Sequence, residues 1–136
     1  MVTTESFFKL DRLYGTNKSL LENFFLVSTV NRPKNFLMKE GIHIGVDWRT
    51  VAPDPLTILQ PYRLNIIDWV EYEKRYRAQL DRKSGDVIYQ WNEEIVPAAE
   101  GRCIVLLHWE HKEPVLCHMN ILMAWFVEQG MLENIS

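Results

Sequence analysis

Chemistry-bearing side chains crowd one stretch of this sequence. His108, Glu110, His111, Glu113, Cys117 and His118 fall within eleven residues. A thiol becomes a strong nucleophile once it loses its proton, and a nearby imidazole can take that proton. Cys117 and His118 are adjacent, so they are the candidate nucleophile and base if the protein is an enzyme. Histidine, cysteine and carboxylate are also zinc ligands. His108 and Glu110 would share one face of a strand, because strand side chains alternate. The stretch nevertheless lacks Cys-x-x-Cys and His-Glu-x-x-His spacing, so no metal and no cofactor is assigned. A third chemistry needs no reaction. Free amides at a helix N-terminus attract an anion, and Cys117-His118 would lie in such a first turn. The bland alternative makes Cys117 a small buried residue and His118 a local cap or packing group.

These residues need elements to position them. Residues 103–109 (CIVLLHW) are short and almost wholly apolar, the clearest strand pattern in the chain. Residues 117–129 read as a well-buried helix closed by Gly130, a natural C′ residue. Upstream, residues 23–30 (NFFLVSTV) read as a buried strand of a sheet covered on both faces. Turn residues follow at 31–35 (NRPKN). Ile42, Ile44 and Val46 alternate with His43, Gly45 and Asp47, which predicts a second strand. Asp54 is a good N-cap and Pro55 a good first residue for a short helix over 55–60, stopped by Pro61. Asp68 and Glu71 resemble a capping box. Trp69, Tyr72, Tyr76 and Leu80 then fall on one helical face. Ser84-Gly85 ends or restarts that helix. Ile88, Trp91 and Ile95 mark a third helix over 84–99, with Pro97 near its end. Residues 5–13 (ESFFKLDRL) fit either a strand or a helix. Well-separated strands between helices predict a single three-layer α/β domain over residues 1–136. Its sheet should be at least partly parallel, with a mixed α+β sheet as the alternative.

Composition narrows the function classes. The chain has 136 residues, 47% hydrophobic and 24% charged, with net charge −3 and a pI near 5.8. That balance argues against broad binding to nucleic acid or anionic lipid. Arg32, Lys34 and Lys39 form a small basic loop. Arg75, Arg77, Arg82 and Lys83 form a second cluster, offset by Glu71, Glu73 and Asp81. Duplex nucleic acid is disfavoured. No apolar run approaches the roughly 20 residues that cross a bilayer, and the first residues lack a signal-peptide core. Two cysteines, Cys103 and Cys117, make no disulfide framework, so both are expected reduced in the cytoplasm. Sixteen aromatics, five of them Trp, point first to a dense core and second to a stacking or protein-binding surface.

The order of these motifs resembles a known family. Domain-of-unknown-function family 488 carries an apolar strand ending Leu-Leu-Cys-x-Glu, then Cys-His-Arg opening a helix. Here the match is Leu106-Leu107-His108-Trp109-Glu110, then Cys117-His118-Met119. The family's Ala-Pro helix start and Trp-x-x-Tyr-x-x-x-Tyr-x-x-x-Leu pattern match Ala52-Pro53 and Trp69 through Tyr72, Tyr76 and Leu80. The resemblance covers roughly residues 23–129 and implies a small bacterial or phage α/β protein. His108 stands where the family has cysteine, and Met119 where it has arginine. Met119 offers neither charge nor donors, so an arginine clamp on phosphate or carboxylate is lost.

The resulting expectation is a pocket at the strand ends holding a small anionic or nucleotide-like ligand without catalysis. Arg32, Trp48 and Arg49 are candidates after the first two strands. His108, Glu110, Cys117 and His118 are candidates after the third. A phage protein that captures a host signalling nucleotide or blocks a host defence protein is one version. An enzyme acting on a nucleoside or nucleotide through Cys117 and His118 is the second reading. A protein-interaction module, including a homo-oligomer, is the third.

Overall fold

The computed structural model describes residues 1–6, 22–30, 44–108 and 117–132. Among the described residues four strands form one sheet: β1 (Val2–Ser6), β2 (Phe24–Ser28), β3 (Val46–Asp47) and β4 (Cys103–His108). Their order is β1-β4-β2-β3, and every pairing is parallel. The chain is therefore a small α/β protein with a parallel sheet, and the mixed-sheet alternative does not apply to the described strands.

Strands β2 and β4 are central and apolar on both faces. Phe25 pairs with Ile104 and Val27 with Leu106 on one face; Leu26 pairs with Val105 on the other. All six are buried, which is why both strands read as continuous apolar runs rather than alternations. Of the expected 42–46 strand, residues 42 and 43 lie outside the described residues. Its described part is Val46–Asp47, preceded by a hydrogen bond from the Gly45 amide to Leu26 O of 2.9 Å. Gly45 lies flat on the Phe25 ring: a Cβ there would sit 2.5 Å from it. Of residues 5–13, Glu5 and Ser6 end β1, and 7–13 lie outside the described residues.

The helical layer packs on the Phe25, Val27, Ile104 and Leu106 face. A π-turn over Pro55–Leu59 runs into α1 (Gln60–Arg63). Then come α2 (Trp69–Arg82) and α3 (Ser84–Gln90), and a second π-turn over Trp91–Ile95 leads into α4 (Val96–Ala99). After β4, α5 (His118–Glu128) packs against α2.

Pro61 was expected to stop its helix and does not. A proline inside a helix loses a donor and crowds the carbonyl four residues back. Here the preceding turn widens, so the Gln60 amide reaches Pro55 O. The crowded carbonyl, Thr57 O, instead accepts from the Arg75 guanidinium at 2.9 Å. Pro97 uses the same device: the Val96 amide reaches back to Trp91 O. The third helix thus spans Pro97, as expected. Its buried stripe is Val87, Trp91 and Ile95, with Ile88 half-buried.

Asp68 caps α2 by accepting from the Glu71 amide at 2.8 Å. The reciprocal half of the capping box is absent. The Glu71 carboxylate takes the Arg75 Nε at 3.0 Å instead, an i,i+4 pair. Gly130 follows α5 with φ of 71°, the left-handed C′ geometry that its position predicted.

Candidate functional site

Neighbouring strands β2 and β4 end together. Ser28 pairs with Leu107, so Thr29 and His108 leave the sheet side by side at its carboxyl edge. The Thr29 amide and hydroxyl both donate to Leu107 O, at 3.2 and 2.8 Å. That hydroxyl has one proton, and a carbonyl can only accept it. Thr29 Oγ1 must therefore accept from His118 Nε2, 3.1 Å away, which assigns Nε2 as a protonated nitrogen. Tyr76 stands edge-on to the His118 ring, with centroids 5.9 Å apart. His118 is buried. It ties the start of α5 to both central strands.

Cys117 is the N-cap of α5, in extended backbone. Its Sγ accepts from the Met119 amide at 3.4 Å. The same sulfur lies 3.6 Å from His108 Nδ1. The thiol is 1% exposed and His108 is half-buried. Three elements thus bring together Thr29, His108, Cys117 and His118. Sequence adjacency made His118 the candidate base for Cys117, yet the imidazole found against the sulfur is that of His108. Of the amides in the first turn of α5, the Met119 amide is occupied by the Cys117 thiol. Met119 itself is buried in the core, so the position where the resembled family has arginine points inward.

Tyr76 sits behind this cluster, fully enclosed, and its hydroxyl donates to Val51 O. Burial, then the neighbouring Tyr72 and Cys117, hold its pKa well above the ordinary tyrosine value of 10.0. It is a neutral donor at any physiological pH. Sequence reading placed Tyr76 on the core face of its helix but gave it no part at the edge.

The remaining candidates go elsewhere. Trp48 is core: its ring stacks on Trp91 at 5.8 Å and tilts against Phe126 at 5.7 Å. Its Nε1 donates to Gln90 Oε1 at 2.7 Å. Arg49 is exposed and pairs with Asp47 at 2.8 Å. Arg32, Glu110, His111 and Glu113 lie outside the described residues. Among the described residues no three potential ligands gather to hold a metal ion. Two of the four members of the second basic cluster pair with carboxylates: Arg75 with Glu71, and Arg77 with Glu73 and with Glu128 of α5. Asp81, expected to offset those arginines, accepts from Trp125 Nε1 at 2.9 Å instead. Trp48, Trp91 and Trp125 are all buried, so the described part of the aromatic surplus is mostly core. The exposed apolar side chains include Leu56, Leu64, Ile66 and Val70 around α1 and the start of α2. No helix among the described residues is long and apolar enough to cross a membrane.

No known protein family, no characterised protein and no solved structure matches this chain.

Proposed function

We propose that this protein is a cytoplasmic binder of a small anionic, nucleotide-like ligand, held at the carboxyl edge of its parallel sheet. One observation carries the reading. The ends of β2 and β4 and the start of α5 bring Thr29, His108, Cys117 and His118 together at that edge. In parallel α/β sheets, ligands gather beyond the carboxyl ends of the strands. His108 is the member of the group with exposed surface, so it is the residue that meets the ligand. Protonated, it would give a charge-assisted bond to a phosphate or carboxylate. Arg32 and Glu110 follow β2 and β4 closely in sequence and are the proposed flanking contacts. The resemblance to domain-of-unknown-function family 488 implies a small bacterial or phage protein, and capture of a host nucleotide signal is the role proposed for it in that setting.

A melting-temperature screen against nucleotides, with inorganic phosphate as control, tests this. A true ligand raises the melting temperature in proportion to the logarithm of its concentration above Kd. His108→Ala should reduce that rise while leaving the unliganded melting temperature close to the parent's. A panel in which nothing shifts the parent, or a ligand that shifts His108→Ala equally, refutes the reading.

A further inference from the structure

We infer that Cys117 and His108 form a nucleophilic dyad that reacts with small electrophiles. The inference goes beyond ligand binding and does not require it, since thiol reactivity is measured with no nucleotide present. Three observations converge on the Cys117 sulfur. The His108 Nδ1 is 3.6 Å away, close enough for a hydrogen bond with sulfur. The Met119 amide donates to it at 3.4 Å. The sulfur is also the N-cap atom of an eleven-residue helix, where negative charge is favoured. An imidazole able to take the thiol proton, combined with donors on the sulfur, is the arrangement that activates cysteine.

The step balances simply. Cys117 Sγ attacks the electrophilic carbon of R–X, forming the S–C bond as the C–X bond breaks. X leaves as the anion with the bonding pair, and the thiol proton passes to His108 Nδ1. No oxidant or cofactor is needed. His108 touches the reacting S–H group, so it is the base. His118 is not assigned that role, because the imidazole nitrogen found against the sulfur is that of His108.

Burial sets the substrate class. A residue 1% exposed shuts out bulky reagents, which restricts the proposed substrate class to small electrophiles. The second thiol cannot intervene. Cys103 starts β4 and His108 ends it. At about 3.3 Å per residue, that places Cys103 roughly 16 Å from His108 along the strand. A disulfide needs Cα atoms within about 7 Å, so a product on Cys117 is not resolved by Cys103.

The experiment is alkylation of the intact protein by iodoacetamide at neutral pH, with the modified cysteine located by peptide mass. Cys117 in the folded parent should react faster than Cys117 in the same protein unfolded in urea. His108→Ala should slow the folded-state reaction at least about tenfold, the lower side of what a general base supplies. Added free imidazole should restore part of the rate in that variant, which a loss of packing alone would not permit. Circular dichroism of the variant confirms that folded protein is being compared. The dyad is overturned if Cys117 reacts no faster folded than unfolded, or if His108→Ala reacts at the parent rate. It is equally overturned if imidazole restores nothing in a folded variant. A reactive dyad in a protein that binds no nucleotide would refute the ligand reading and leave this one standing.

Discussion

The two ends of α5 are held in opposite ways. Near its carboxyl end, Phe126 is packed by shape among aromatic rings, beside Trp125, whose indole N–H bonds Asp81. Phe126 lies 5.7 Å from Trp48, 5.6 Å from Trp91 and 6.1 Å from Trp125, ring to ring. Near its amino end, Cys117 and His118 are held by directional bonds to Met119, His108 and Thr29. The first end draws its stability from apolar area, which depends little on any one atom. The second depends on each donor and acceptor, because a buried polar group that loses its partner keeps its desolvation cost. A protein that needed only stability would fill both ends with aliphatic side chains. The buried polar groups of this edge are the ones that the proposed function uses.

The largest effect should come from the aromatic end. Phe126 is wholly buried, so Phe126→Ala removes packing and leaves a cavity, costing about 3–5 kcal/mol. Urea denaturation should show the lowered midpoint. Because the loss is one of packing, the rate at which Cys117 is alkylated in the folded fraction should stay near the parent's. A large change in that rate would show that the two ends are coupled and the contrast is false.

Next in size is Thr29→Val, which keeps the shape and deletes the hydroxyl. Leu107 O loses one of two donors and the His118 Nε2 proton loses its acceptor. Stranding a buried donor costs about 1–3 kcal/mol. The denaturation midpoint should fall accordingly, with the sheet retained. A midpoint equal to the parent's would mean that His118 finds another acceptor, and that its polarity matters less than its volume.

How much of this contrast was legible depends on range along the chain. The aromatic end was: Trp91, Ile95, Tyr72 and Tyr76 recur at helical spacing, and such a stripe declares its buried face directly. Strands β2 and β4 were legible because burial on both faces leaves no polar interruption. Strand β1 was not, since Val2–Ser6 (VTTES) is a half-buried edge with no alternating apolar residues to mark it. Pro61 misled because the rule for proline assumes a four-residue turn. The widened turn and Arg75 on α2, eighteen residues beyond the Thr57 carbonyl it bonds, lift the penalty. The pairing at the sheet edge was half legible. The crowd from His108 to His118 marked the right place, and the strand-to-helix order put Cys117 at an N-terminus. Which imidazole meets the sulfur was hidden, because adjacency in sequence favours His118. Only the parallel register, setting the end of β4 beside Thr29, turns His118 toward β2 and leaves His108 for the thiol.

Smaller effects come from helix starts that solvent reaches, which contrast with the buried cap at Cys117. Asp68→Ala removes the acceptor of the Glu71 amide and should cost about 0.5–2 kcal/mol, the usual loss for an N-cap. The half-formed capping box favours the lower part of that range, since Glu71 returns nothing to Asp68. A cost above it, read from the denaturant midpoint, would mean that Asp68 also holds the chain before α2 in place.

The smallest effect is visible only in its dependence on pH. Asp54 caps the Pro55–Leu59 turn, accepting from the Thr57 hydroxyl at 2.7 Å and the Thr57 amide at 2.8 Å. These bonds, the hydroxyl first, hold its pKa below the ordinary value of 3.8. A carboxylate whose folded pKa is depressed contributes stability that is fully present above its unfolded value. That contribution is lost as pH falls through the folded value. The cap should therefore act at full strength at neutral pH and fade only below about pH 4, the ordinary aspartate range. Asp54→Asn keeps an acceptor but cannot titrate. Its stability relative to the parent should be lower at neutral pH, and the gap should close in strong acid. The Cys117 cap offers the contrast. Its capping atom is a sulfur and not a carboxylate, so Cys117→Ser should shift stability by the same amount across that acid window. Urea midpoints of the parent and both variants, measured from neutral pH down into the acid range, decide the matter. A gap for Asp54→Asn that stays constant would show that the Thr57 bonds do not depend on the charge of Asp54.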